Sequence, residues 1–246
     1  MITKEELQDY ARITGLNLGH AEKDYFQTIT LYILYREYGT ELVFKGGTAL
    51  KKCYGLNRFS EDLDFTCIKS IETRKLDLGF KRFGIEYEKV TEGYPDGLKT
   101  TYRINGPLYI GIRQSLCKFI VDMSFRENVI LQPAVKTIGR FLREIPSFDV
   151  YVMQEEEILA EKIRAVLTRE KARDIYDIAF LADKGVKFNE NLVKKKLQYY
   201  NEKWDKRKFL NRLEIKETSW KAELKPLIEK IPDIKEINKK IREIIT

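Results

Sequence analysis

The chain has 246 residues, 43% of them hydrophobic and 34% charged, with a formal net charge of +7. These values are those of a soluble globular protein with enough chain for one large domain or two modest ones. No apolar run reaches the roughly 20 residues a membrane span requires, so no membrane partner is expected. Cys53, Cys67 and Cys117 are isolated, which excludes a disulfide framework and a C-x-x-C zinc site. The single histidine, His20, excludes a His-rich metal centre. It also excludes serine–histidine nucleophilic catalysis unless His20 is itself the base. Met1-Ile2-Thr3-Lys4-Glu5-Glu6 has no signal-peptide core, and Thr3 and Glu6 are spaced as a capping box, so a cytoplasmic protein opening on a helix is expected.

In chain order, apolar periodicity predicts helices over 3–17 and 20–38, divided at Gly19. A short strand over 41–45 enters the turn Gly46-Gly47-Thr48, and a helix over 48–54 stops at Gly55. A strand carrying Asp62 and Asp64 follows, then a helix over 71–82. Alternation predicts strands over 85–90 and 99–104, a turn at 105–107, and strands over 108–113 and 117–124. Beyond about Tyr151 the pattern turns helical, with segments over 155–168, 173–184, 189–203, 206–217, 220–230 and 234–245. Pro226 is expected to break the fifth of these. The fold class is therefore α+β: a mixed-sheet core with N-terminal helices over 1–152, then a helical domain over 153–246.

Charge is unevenly placed. Residues 184–246 hold 18 Lys+Arg against 10 Asp+Glu, which leaves the preceding 183 residues within one charge of neutral. This is either a solvated helical surface or an electrostatic footprint for a polyanion such as RNA.

Two aspartates one residue apart on a strand share a face, so Asp62 and Asp64 repel unless a cation lies between them. They read as a divalent-metal pair. The Gly46-Gly47-Thr48 turn opens a helix N-terminus, where backbone N–H groups suit a phosphate. Asp122, inside Phe119-Ile120-Val121-Asp122-Met123, is either a third metal carboxylate or one half of an edge ion pair. Lys162 falls inside the apolar stripe Ile158, Leu159, Ile163 and Val166, so it either snorkels past the core or reaches phosphate oxygens in a cleft. Arg173-Asp174-Ile175-Tyr176-Asp177 reads either as acids favoured in a first helical turn or as a polar cluster that holds Lys162 and contacts nucleotide.

The order of Lys45-Gly46-Gly47-Thr48-Ala49-Leu50, Arg58-x-Ser60-x-Asp62-x-Asp64-Phe65, and Ala160-Glu161-Lys162 with Arg173-Asp174-x-x-Asp177 resembles the AbiEii-type nucleotidyltransferases. These are toxins of toxin–antitoxin pairs within the polymerase β-like superfamily. The resemblance covers about Phe44 to Ala182 and implies a polymerase β-like core. It implies a metal-binding pair at Asp62 and Asp64, helped by Asp122, and catalytic roles for Lys162 and Asp174. It further implies nucleotide contacts from Lys45, Gly46, Gly47, Thr48, Ser60, Arg173 and Asp177. The implied chemistry is transfer of a nucleoside monophosphate from an NTP, with Mg2+ or Mn2+, to an acceptor hydroxyl. The implied acceptor is tRNA, and a cognate antitoxin is the implied protein partner. A protein or antibiotic hydroxyl as acceptor, and a non-catalytic binding module, are the competing readings.

Overall fold

The computed structural model describes residues 1–69, 71–215 and 217–245, with Glu217 described by its backbone only. Position 216 of the segment expected helical over 206–217 therefore lies outside the described residues. Along the chain the elements are α1 (Lys4–Thr14), α2 (Leu18–Tyr38), β1 (Leu42–Lys45), α3 (Gly46–Tyr54), β2 (Leu63–Cys67), α4 (Thr73–Arg82), β3 (Tyr87–Tyr94), β4 (Gly97–Ile104) and β5 (Cys117–Ser124). There follow β6 (Ala134–Ile138), β7 (Phe148–Val152), α5 (Glu155–Thr168), α6 (Ala172–Asp183), α7 (Glu190–Gln198), α8 (Lys206–Arg212), α9 (Glu217–Leu224) and α10 (Ile234–Ile244).

The chain divides into two compact units. The first, an α/β unit, comprises Met1–Ala49, Glu61–Asn128 and Pro133–Val152. The second, a helical unit, comprises Leu50–Ser60, Val129–Gln132 and Met153–Thr246.

In the α/β unit one mixed sheet runs β3-β4-β5-β2-β1-β7-β6, parallel at β2–β5 and β1–β7 and antiparallel elsewhere. β1 is buried at all four positions, as befits a central strand covered on both sides. α2 packs against β5, β7 and α4. It buries residues all round its circumference, and its buried Thr28 and Thr30 hydroxyls donate back to the carbonyls of Asp24 and Phe26, both at 2.7 Å. Phe80, Tyr87, Tyr102 and Phe119 form an edge-to-face and stacked cluster that fixes α4 to the sheet. In the helical unit Trp220, buried on α9, donates its indole N–H to the Pro232 carbonyl at 2.9 Å.

The capping box at Thr3 and Glu6 is present, with both reciprocal hydrogen bonds. The first two helices are divided at Gly15, not Gly19. Gly15 takes the left-handed conformation at φ 68, while Asn17 caps α2 and leaves Gly19 inside its first turn. Residues 108–113 do not form a strand. The N–H of Leu108 donates to Glu22 at 2.8 Å and that of Ile110 to Ser115 Oγ at 3.1 Å, so no strand partner is served there. β6 and β7 were not foreseen. α7 ends at Gln198, before a turn in which Asn201 takes φ 55, and α9 ends two residues short of Pro226. Among the described residues no helix is long and apolar enough to cross a membrane.

Candidate active site

In the α/β unit β1 passes directly into α3, without a loop. Gly46 makes the junction at φ +75, a conformation that L side chains rarely adopt. A Cβ on Gly46 would also collide with Asp64 Oδ2, so the Asp64 carboxylate lies over the bare Cα at the head of α3. That end of a helix favours negative charge.

Strand register brings the charged residues into one row. Lys45 on β1 is opposite Asp64 on β2, Asp64 is opposite Asp122 on β5, and Asp122 is opposite Lys99 on β4. Directly opposed residues share a face, so two carboxylates stand side by side, flanked by two cations. Lys45 is buried, whereas Asp64 and Asp122 are half-buried. Like charges in that position destabilise a sheet unless something positive is shared between them.

Asp62 lies just before β2, and its Oδ1 accepts the Ile120 N–H at 3.2 Å. The strand entry is held from two sides. The fully buried Thr48 hydroxyl donates to the Asp62 carbonyl, and Gln27 Nε2 donates to the Glu61 carbonyl at 2.8 Å. Asp122 Oδ1 accepts the Tyr94 hydroxyl at 2.7 Å. Burial, reinforced by Asp122, raises the Tyr94 phenol well above its ordinary range, so it stays a proton donor. Tyr94 reaches Asp122 by folding over Gly97, where a Cβ would strike its ring hydroxyl. Burial pushes the nearby Cys67 thiol up to about 12 against the pull of Lys45, which removes it as a nucleophile.

Among the described residues no three His, Cys, Asp or Glu side chains gather as a metal cluster. Mg2+ is usually held by one or two carboxylates and completed by water and substrate phosphates. The facing Asp64 and Asp122 carboxylates, at a helix N-terminus, fit that mode of binding.

The helical unit holds a separate, buried ionic cluster. Arg58 is 1% exposed. It makes a bidentate pair with Asp177, both contacts at 2.7 Å, and donates to the Phe59 carbonyl at 2.8 Å. Lys162 Nζ lies 2.9 Å from Asp174 Oδ1 and 2.7 Å from Asp177 Oδ2. Arg169 adds two hydrogen bonds to Asp174. Burial alone would raise the Asp174 carboxyl, but Lys162 and Arg169 more than reverse this and hold it far below the usual carboxylate range. Burial likewise lowers the Lys162 ammonium, and the two aspartates overcome it, so Lys162 is firmly cationic. Arg173, one residue before Asp174, is half-buried and has no ion-pair partner among the described residues. Ser60 is half-buried at the end of the connector that joins α3 to β2.

The predicted residues thus form two groups: Lys45, Gly46, Gly47, Thr48, Asp62, Asp64 and Asp122 in the α/β unit, and Ser60, Lys162, Arg173, Asp174 and Asp177 in the helical unit. Three contributors went unassigned from sequence. The turn signal Pro95-Asp96-Gly97, which closes the β3–β4 hairpin at the Tyr94–Gly97 pair, was the available pointer to Tyr94. Arg58 was visible as the head of the Arg58-x-Ser60-x-Asp62-x-Asp64 motif but was given no role. Arg169 carried no signal, because nothing local distinguishes a paired arginine from a free one.

Two variants test the α/β group. Gly46→Ala is expected to lower kcat about 100-fold, because Asp64 must shift by about 1 Å, and to cost about 1–2 kcal/mol of stability through the left-handed backbone. Parallel kinetics and thermal melts check it, and parent-like kcat would show that Asp64 need not rest there. Tyr94→Phe is expected to lower kcat about 3–10-fold through loss of one hydrogen bond, with Tm nearly unchanged. An unaltered rate would show that Asp122 needs no support from Tyr94.

No curated protein sequence matches the chain. Among solved structures it is similar to MenT4, a nucleotidyltransferase toxin from Mycobacterium tuberculosis H37Rv. The TM-score is 0.71 at 20% identity, over 100% of this chain and 89% of that one. It is also similar to JHP933 from Helicobacter pylori, with a TM-score of 0.62 at 22% identity over 92% and 89% of the two chains. At these identities the likeness speaks for the fold. The family model for the nucleotidyl transferase AbiEii toxin of type IV toxin–antitoxin systems matches residues 32–245, and the chain belongs to that family.

Proposed function

We propose that the protein transfers a nucleoside monophosphate from an NTP to a hydroxyl of tRNA, releasing pyrophosphate. The observation that carries this reading is the row Lys45, Asp64, Asp122 at the head of α3. It pairs two acids where a metal–triphosphate would neutralise them, beside a helix N-terminus suited to phosphate.

Asp64 and Asp122 would hold Mg2+ or Mn2+ together with the substrate phosphates, and Asp62 would join them once the ion is bound. The ion would supply charge neutralisation at the triphosphate and a lower pKa for the attacking hydroxyl. Asp122, oriented by Tyr94, accepts the proton of the acceptor hydroxyl as its oxygen bonds to the α-phosphorus. The bond from that phosphorus to the bridging oxygen breaks, and pyrophosphate leaves. The amides of Gly46 and Gly47, with Lys45, offset the charge on the phosphates. Thr48 holds Asp62 in place through its carbonyl. Of the predicted residues of the helical unit, Arg173 is the cation without an ion-pair partner among the described residues, whereas Lys162 is committed to Asp174 and Asp177 and acts as a positioning residue. Membership of a type IV toxin–antitoxin family implies a cognate antitoxin as the protein partner.

The test incubates purified protein with Mg2+, each α-labelled NTP in turn, and total tRNA. Label on tRNA, released by ribonuclease, is the expected result. Label confined to a protein band would transfer the proposal to a protein acceptor, and no label in any of the four reactions would refute transferase activity.

A further inference from the structure

Many of the basic residues after position 183 are already engaged. Lys194 pairs with Glu190 at 2.6 Å, Lys208 with Glu202 at 3.0 Å, Lys240 with Asp183 at 2.9 Å, and Arg242 with Glu214 at 3.2 Å. Lys195, Lys203, Lys206 and Arg207 differ. All four are exposed, and none has an ion-pair partner among the described residues.

These four cations surround the turn between α7 and α8, and aromatic residues are interleaved with them. Tyr199, Tyr200 and Trp204 are each half-buried. Lys195 stands four residues before Tyr199, on the same side of α7 as it ends. Two of the rings, Tyr200 and Trp204, are held in place. The Arg164 guanidinium stacks over Tyr200 at 4.1 Å, and Trp204 sits between Phe188 and Phe209 with centroids 5.5 and 5.6 Å away. Of the acids nearby, Glu202 is paired with Lys208 and Asp205 caps the Lys208 N–H at 2.9 Å, which leaves four cations against one carboxylate without an ion-pair partner among the described residues. Exposed cations between anchored, partly open aromatic faces are what a nucleic-acid strand requires: phosphates meet the cations and unstacked bases lie on the rings.

We propose that the turn from Tyr199 to Arg207, with Lys195, is a docking surface for the RNA acceptor. The assignment rests on the reading of the acceptor as RNA. The turn supplies binding free energy through cations that contact the sugar–phosphate backbone whatever the sequence.

The test measures binding of fluorescently labelled tRNA by anisotropy across a salt series. It compares the full-length protein with the fourfold variant Lys195→Gln, Lys203→Gln, Lys206→Gln, Arg207→Gln and with Tyr199→Ala. Calorimetry of Mg2+–NTP binding is run on the same samples. Four lost phosphate contacts are expected to make the slope of log affinity against log salt shallower by about 3, and to weaken binding at least about tenfold near 100 mM salt. Tyr199→Ala is expected to weaken binding about fivefold with the slope retained. NTP binding should be unchanged in both, since none of these residues lies in the nucleotide site. If the parent labels and binds tRNA while the fourfold variant matches its affinity and slope, the surface is wrong and the acceptor reading stands. If the parent neither binds nor labels tRNA, both fall together.

Discussion

Asp64→Asn is expected to abolish nucleotide transfer, by roughly 1000-fold or more in kcat, while the protein folds as before. The figure corresponds to about 4 kcal/mol of lost transition-state stabilisation, within what charge neutralisation at a phosphoryl group supplies. Asp64 merits the largest effect because three separate features converge on it. It faces Asp122 in register, it faces buried Lys45 from the other side, and its carboxylate rests on Gly46 at the head of α3. Asparagine keeps the shape, so the contact with Gly46 survives and only the charge is lost. Folding should lose little, because removing one of two opposed like charges relieves repulsion while Lys45 loses a neighbouring anion. A Tm within about 3 °C of the parent is the expected control. Parent-level turnover in a folded Asp64→Asn protein would refute the metal–triphosphate assignment altogether. Asp122→Asn should fall in the same direction, and comparison with Tyr94→Phe separates the carboxylate from its support.

Local pattern determined much of this site, and long-range register the rest. Alternation alone placed Asp122 on the opposite face from Phe119 and Val121, and the burial of Phe119, Val121 and Met123 beside half-buried Asp122 agrees. What no local pattern contains is that β5 aligns with β2 so as to set Asp122 against Asp64. That register depends on a parallel pairing between segments about 60 residues apart. The same physics explains the misassigned strand at 108–113. Leu108, Ile110 and Ile112 alternate as a strand would, yet Ile110 is 74% exposed and the backbone there is satisfied by Glu22 and Ser115. β7, Phe148-Asp149-Val150-Tyr151-Val152, has strand formers at four of five positions, but so short a run beside the helical pattern that begins at Glu155 gains its place only from lying between β1 and β6. Lys162 was legible as a cation in an apolar stripe. One reading of Arg173-Asp174-x-x-Asp177, a polar cluster that holds Lys162, named its partners, and both ion pairs are present; Arg58, which shares Asp177 from 119 positions away, was not legible as part of the cluster.

That shared aspartate carries the largest expected effect on stability. Asp177→Ala is expected to cost about 3–5 kcal/mol, because it leaves the Arg58 guanidinium buried without its bidentate partner and takes one of two anions from Lys162. For a chain of this size that corresponds to a fall in Tm of about 6–20 °C. The double variant Arg58→Met, Asp177→Leu should recover a large part of the loss. Removing both buried charges eliminates the uncompensated ion, and the pair itself contributes little net stability once desolvation is counted. The pH dependence follows from Asp174, whose folded carboxyl is held below its unfolded value of about 3.9. A depressed carboxyl stabilises fully above the unfolded pKa, and the contribution disappears as pH falls through the folded one. Between pH 5 and 8 this cluster therefore predicts a flat stability profile, with Asp177→Ala displaced downward by a constant amount. Below about pH 4 the contribution of Asp174 is lost progressively in the parent. Thermal melts from pH 3 to 8 read both features. A loss under about 1 kcal/mol in Asp177→Ala would show that water reaches Arg58, and that the connector between α3 and β2 is held by its apolar contacts, not by this ion pair.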